Sequence, residues 1–251
     1  MRKRFRSWAG LPRWGALTSI WLTAAGQAPR AGGDVALPGR ETGRIEGVAS
    51  IAAVLTTIHQ RIRVYDEPGT SPPKSAGNDN PLANVVIYLE SSAALHVETS
   101  PNSRPPAALR QRDQMFVPHV LPVLVGTTVQ FPNDDAVFHD VFSLSSTKVF
   151  DLQRYPQGTS RSVQFLKRGV VEVFCHIHAD MSAYIVVLDN PFFVVPDAQG
   201  HFALDGVPPG DYQLTAWYER THPVTVRVHV DAGRTATVPM RIPIPAGPPH
   251  P

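Results

Sequence analysis

Proline occurs 25 times and glycine 18 times in this chain of 251 residues. Proline lacks the amide hydrogen that a helix ladder needs, and glycine loses the most backbone freedom on folding, so long helices are disfavoured and short extended segments between turns are favoured. Between these punctuation marks lie short runs rich in β-branched and aromatic residues: Val85–Leu89, Phe116–Val120, Leu121–Val125, Thr128–Phe131, Val137–Leu144, Ser162–Leu166, Val170–Cys175 and Tyr184–Leu188. A second series follows at Gly200–Leu204, Tyr212–Tyr218, Val224–Val230 and Thr235–Ile242. Runs of this length and spacing predict an all-β chain with β-sandwich packing. Upstream, Ile62, Val64 and Tyr65 alternate as a strand does, whereas Ile45, Val48 and Ile51 leave strand and helix both open. The stretches 66–83 and 99–114 are rich in turn residues and predict loops.

The first 28 residues have the form of a secretory signal. Arg2, Lys3, Arg4 and Arg6 precede the apolar run Trp14–Ala25, and small residues at Ala24–Ala28 offer cleavage positions. That run is shorter than the ~20 apolar residues a bilayer span needs. The expectation is an exported, periplasmic protein with no transmembrane segment after signal removal. Without the five basic residues of 1–28, the net charge falls from +2 to about −3. No cluster of Lys and Arg points to nucleic acid.

Cys175 is the one cysteine, so no internal disulfide can form. A free thiol in an oxidising compartment is a liability unless it is buried or ligated. It opens the loop Cys175–His176–Ile177–His178–Ala179–Asp180–Met181, a C-x2-H-x2-M pattern between two strong strand candidates, and His139 lies 36 positions upstream at the edge of another. Taken singly, each residue has an ordinary structural role: an inert buried thiol, a hydrogen-bonded histidine, a core methionine. Together, thiolate, two imidazoles and a thioether select copper, and a trigonal Cys-His-His set with a weak axial Met is the electron-transfer type. The set is a poor match to structural zinc. The expected cofactor is one mononuclear type 1 copper per chain, held by His139, Cys175, His178 and Met181. A two-copper Cys-x3-Cys centre is excluded by the single cysteine.

These residues carry a family resemblance. FVPHVLPVLVGTTVQFPNDDAVFHDVFS resembles the strand–Gly–strand–His segment of the cupredoxins plastocyanin and amicyanin, and GVVEVFCHIHADM resembles their ligand loop, with the short spacing of amicyanin. The resemblance covers about residues 115–189 and implies a cupredoxin Greek-key sandwich. GHFALDGVPPGDYQLTAWY resembles carboxypeptidase regulatory-like, prealbumin-type β-domains, and the pairing is similar to exported proteins of the methylamine-utilisation type. Two departures stand out. Ile177 replaces the usual proline before the loop histidine, and Asp140 replaces the usual asparagine after the upstream one; an ionised aspartate accepts hydrogen bonds but cannot donate them.

The expected organisation is a signal at 1–28, a leader with N-terminal strands at 29–80, a cupredoxin domain at 81–190 and a small β-domain at 191–245. An alternative keeps Val85–Leu89 with the tail, making the cupredoxin an insertion. His176 is expected beside the ligand loop facing solvent, with competition at the metal or service to a second copper as the other possibilities. His119 is expected on a surface loop. An apolar patch around His178, from Val137, Phe138, Ala179 and Ala183, is expected to receive partners. The resemblance implies a non-enzymatic electron carrier whose partner is a protein such as a c-type cytochrome or a periplasmic dehydrogenase. The alternatives are a copper-binding structural or interaction module of a larger exported complex, and copper-dependent catalysis, which needs a second metal site.

Overall fold

The computed structural model describes residues 41–52, 80–90, 92, 95, 107–219 and 221–243. The signal expected over 1–28, most of the leader segment expected over 29–80 and the strand expected at Ile62–Tyr65 lie outside the described residues. Eighteen strands and no α-helix occur among the described residues. They are β1 (Gly43–Ala52), β2 (Val86–Leu89), β3 (Ala107–Ala108), β4 (Arg110–Arg112), β5 (Met115–Val117), β6 (Val120–Leu124), β7 (Thr128–Pro132), β8 (His139–Ser143), β9 (Phe150–Tyr155), β10 (Ser160–Gln164), β11 (Gly169–Cys175) and β12 (Ser182–Leu188). The series ends with β13 (Phe193–Val194), β14 (His201–Val207), β15 (Gly210–Trp217), β16 (Val224–Val230), β17 (Thr235–Thr237) and β18 (Met240–Pro243). The all-β expectation therefore holds, and Ile45–Ile51 is a strand.

Two sandwiches result. In the first, the five-stranded sheet β6-β12-β11-β8-β9 faces the sheet β10-β7-β3, and the hairpin β4-β5 stands beside them. Alternate residues point inward, as the strand period requires, and Val129, Phe131, Val141, Phe165, Val173 and Ile185 fill the core. In the second, the sheet β13-β2-β15-β16 faces β14-β1-β17, with β18 also paired to β1. Ile45, Leu89, Leu204, Leu214, Val230 and Ile242 fill that core.

The pairings settle where Val85–Leu89 belongs. β2 lies antiparallel to both β13 and β15, inside the second sandwich. The sandwich expected over 81–190 accordingly excludes β2 and is inserted between β2 and β13. The sequence left this open because both faces of the strand are apolar: Ile87 and Leu89 join the second core, while Val86 faces a third cluster with Val120, Leu124, Val186, Leu188 and Trp217. That third cluster joins the two sandwiches. β12 is covered in the same way, with Ile185 and Val187 in one core and Val186 and Leu188 in the joint. A strand buried on both faces reads as a continuous apolar run, so its faces carry no label.

Two further differences have local causes. Thr235–Ile242 divides at Val238–Pro239, since proline cannot donate to a ladder; both halves still pair in parallel with β1. The dividing point crosses Gly47, where a Cβ would collide with the Val238 carbonyl. β9 was not expected, because it is an edge strand whose Asp151, Gln153 and Arg154 leave little apolar alternation.

Candidate metal centre

β8 and β11 build the site through their alternation. His139 and Val141 point inward from β8, as do Val173 and Cys175 from β11, and Cys175 pairs with Val141 across the ladder. The chain then turns tightly. The Met181 amide donates to the His178 carbonyl at 3.1 Å, and the Cys175 amide donates to the Met181 carbonyl at 3.2 Å. This closure sets His178 beside Cys175 and returns the chain to β12.

Three of the four expected ligands meet. Cys175 Sγ lies 3.7 Å from His139 Nδ1 and 3.6 Å from His178 Nδ1, and the two rings are 4.8 Å apart between centroids. First-row metal bonds of about 2.3 Å to sulfur and about 2.0 Å to nitrogen, set 120° apart, put the two ligand atoms about 3.7 Å from each other. Both sulfur–nitrogen edges therefore have the length found in a trigonal metal site, all three donor atoms lie within 4.8 Å of one another, and the donors are those copper prefers. Met181 is 1% exposed and packs in the same cluster as Cys175. His139 is fully buried and His178 is half-buried.

The protonation states pull in two directions. Burial works to lower His139, but Cys175 and Asp135 outweigh it and raise the group, so in the metal-free protein the ring favours a proton that a metal would displace. Burial works to raise the Cys175 thiol, but hydrogen bonds from His139, the Asp140 and Ile177 amides and His178 outweigh it and bring the group down to about 6. Much of the sulfur is thus thiolate at neutral pH, the form that binds metal. His139 Nε2 donates to Asp135 Oδ2 at 2.9 Å; when the ring carries a single proton this contact holds it on Nε2 and leaves the Nδ1 lone pair, on the Cys175 side, for a metal.

Asp135 is itself held. It accepts from the Asp113 amide at 2.6 Å and the Gln114 amide at 2.9 Å. Burial works to raise its carboxyl, and hydrogen bonds from the Gln114 amide, His139 and the Asp113 amide overcome this and lower it. Asp113 and Gln114 have φ of 55° and 58°, the left-handed turn that joins β4 to β5. Beneath lies a buried polar net. Asn133 donates to the Val137 carbonyl at 2.9 Å and accepts from the Asp135 amide at 2.9 Å. Gln111 donates to the Tyr155 hydroxyl at 2.6 Å, and that hydroxyl donates to the Phe131 carbonyl at 2.9 Å. The sequence reading missed this support. Asn133 and Asp135 had a visible signal in the segment Pro132–Asn133–Asp134–Asp135 just before His139; Gln111 had none, because its partners are distant in sequence.

Other expected residues fall as follows. Ile177, Val137 and Phe138 are 46%, 40% and 45% exposed beside the ligand loop. Ala183 is not part of that patch: it is 1% exposed and faces the core, since it alternates with Ser182 on β12. His176 points away from the triangle and stacks on Phe142 at 3.6 Å between centroids, with 9° between planes. His119 is not free on a loop. Its Nδ1 meets the Ser182 carbonyl at 3.0 Å and its Nε2 meets Glu219 at 2.7 Å, and the pair is mostly buried between the sandwiches. No helix among the described residues is long and apolar enough to cross a membrane.

No family model matches the chain, and no curated protein matches it either. Solved structures do. A copper-containing nitrite reductase from Thermus scotoductus SA-01 is 27% identical with a TM-score of 0.33, over 34% of this chain and 23% of its own length. A purple cupredoxin from Nitrosopumilus maritimus is 26% identical with a TM-score of 0.30, over 33% of this chain and 99% of its own. A reduced Cu(I) form of an amicyanin variant is 20% identical with a TM-score of 0.32, over 41% of this chain and 98% of its own. The chain is thus similar, over part of its length, to structures of cupredoxins.

Proposed function

We propose that this chain is an exported type 1 copper protein that carries single electrons between partner proteins. The Cys175 thiolate and the His139 and His178 imidazoles would hold one copper, with Met181 as the weak axial ligand. When bound, the metal supplies a one-electron Cu(II)/Cu(I) couple. The residues supply everything else. Asp135 and the β4-β5 turn hold His139 in one tautomer and one orientation. The closed loop Cys175–Met181 holds three donors on a short segment between two paired strands. Half-buried His178 offers the way in; exposed Ile177 precedes it in the loop and exposed Val137 and Phe138 precede His139 on the chain, apolar groups suited to brief docking. The partner would be a redox protein such as a c-type cytochrome or a periplasmic dehydrogenase.

The observation that carries this proposal is the triangle of Sγ and two Nδ1 atoms at 3.7 and 3.6 Å. Its test is metal content with visible and paramagnetic-resonance spectra of the purified full chain. One copper per chain and an intense visible band that reductant bleaches reversibly are expected. A chain that takes up no copper, or takes it up without colour, ends the proposal.

A second reading has one observation behind it. The ligand-bearing sandwich is inserted in another sandwich and shares an apolar joint with it, as suits a structural or interaction module. A tightly held Cu(I) that cannot be oxidised would favour that reading.

A further inference from the structure

We propose that the outer face of the five-stranded sheet carries a second metal site, formed by Asp140, Asp151 and His176, for one divalent first-row ion such as Zn2+ or Cu2+. Period-two alternation creates it. On β8, His139 points inward and Asp140 outward; at the end of β11, Cys175 points inward and His176 outward. Consecutive residues on two paired strands therefore present two donor sets, back to back. The His176 amide donates to the Asp140 carbonyl at 2.9 Å, which ties the outer pair together.

The third donor comes from β9. The β8-β9 ladder shifts register between Asp140 and Phe142, so that two residues of β9, Leu152 and Gln153, oppose one of β8, Val141. Gln153 takes a φ of 54° at this bulge, and its amide donates to Asp151 Oδ1 at 2.7 Å. Bulges re-aim side chains, and here Asp151 is brought to Asp140. One ligand atom from each of Asp140, Asp151 and His176 lies within 4.8 Å of the others. The stack on Phe142 holds the His176 ring in place.

Two carboxylates this close repel unless a cation or a proton lies between them. Asp140 Oδ1 is buried on that outer face and has no hydrogen-bond partner. Arg154 lies opposite Asp140 on β9, where its charge partly offsets the repulsion from Asp151, and its guanidinium packs over the Phe138 ring, 4.7 Å from the centroid. One imidazole and two carboxylates suit zinc or copper(II), whereas calcium and magnesium favour oxygen alone. Asp151 and His176 are exposed, so water would complete the ion's shell. A bound ion would clamp β8, β9 and β11 together at the end of the sheet that bears His139 and Cys175.

This inference does not require copper in the inner site. The test is calorimetry with Zn2+ on the full chain loaded with one equivalent of copper and cleared of loosely held copper by a chelator, with the visible band followed in the same samples. The parent is expected to bind Zn2+ with the band unchanged. Asp151→Asn and His176→Ala should each weaken that binding at least ~10-fold and leave the band as in the parent; Asp140→Asn serves as a third variant. No Zn2+ binding, or binding that none of the three substitutions weakens, overturns the site and leaves only a proton shared by Asp140 and Asp151. A missing visible band with Zn2+ binding that depends on His176 would sink the inner assignment alone.

Discussion

The two sandwiches share an architecture and differ in what they bury. The second core is mostly apolar; its polar groups are the ring hydroxyls of Tyr212 and Tyr218, Thr215, which is satisfied by Glu90 and Thr225, and Asn190, which donates to the Leu89 carbonyl and accepts from the Phe192 amide. The first core also has an apolar middle, but it buries Gln111, Asn133, His139 and Ser143. Buried polar groups are tolerated only when partnered, and most of these form the support of Cys175 and His139. The comparison shows that packing two sheets does not demand chemistry. One end of one sandwich has exchanged apolar contacts for a held set of donors, and the proposed function rests on that set rather than on the fold.

The sharpest way to break the comparison is Cys175→Ser. Copper binding and the visible band should be lost entirely while both sandwiches stay folded by circular dichroism. If the serine variant unfolds, the inner site is a structural part of its core. Next is Leu214→Ala in the second sandwich. It should cost about 2–5 kcal/mol of stability, read by urea unfolding, and leave the spectrum of the folded protein unchanged. A shifted spectrum would show that the sandwiches are not energetically separate.

Asp135→Asn tests the support rather than the ligands. Weakening the hydrogen-bonded carboxylate should lower copper affinity ~10–100-fold and raise the reduction potential, because a less basic imidazole favours Cu(I). Equal affinity and potential would reduce Asp135 to a loop anchor.

In the metal-free protein, the ultraviolet thiolate absorbance should titrate near the depressed value of about 6 and not near 9. The sign for stability follows. Between those values the folded thiol is ionised while the unfolded one keeps its proton, so this group stabilises the fold fully above pH 9 and loses its contribution as pH falls through about 6. A midpoint near 9 would mean that His139 and His178 do not hold the thiolate. The smallest change to the molecule itself is Ile177→Glu, which should slow electron exchange with a protein partner and leave spectrum and stability as they were. An unchanged rate would move docking away from the ligand loop.

The sequence by itself determined the all-β class, the strands that flank the ligand loop and the donors that meet in the triangle. These are local properties. Strand runs and turn residues act within a few positions, and a Cys-x2-His turn brings its own donors together wherever it is placed. Tertiary structure decided what depends on distant pairing. It put β2 with β15, because a strand apolar on both faces fits either core. It turned Ala183 into the first core, by the register of β12, and joined His119 to Glu219, by the faces that the two sandwiches turn to each other. It also set Asp135 behind His139 through a hairpin turn more than twenty positions upstream. A residue's partner across a sheet is fixed by register and topology, and neither is written in the residue's own neighbourhood.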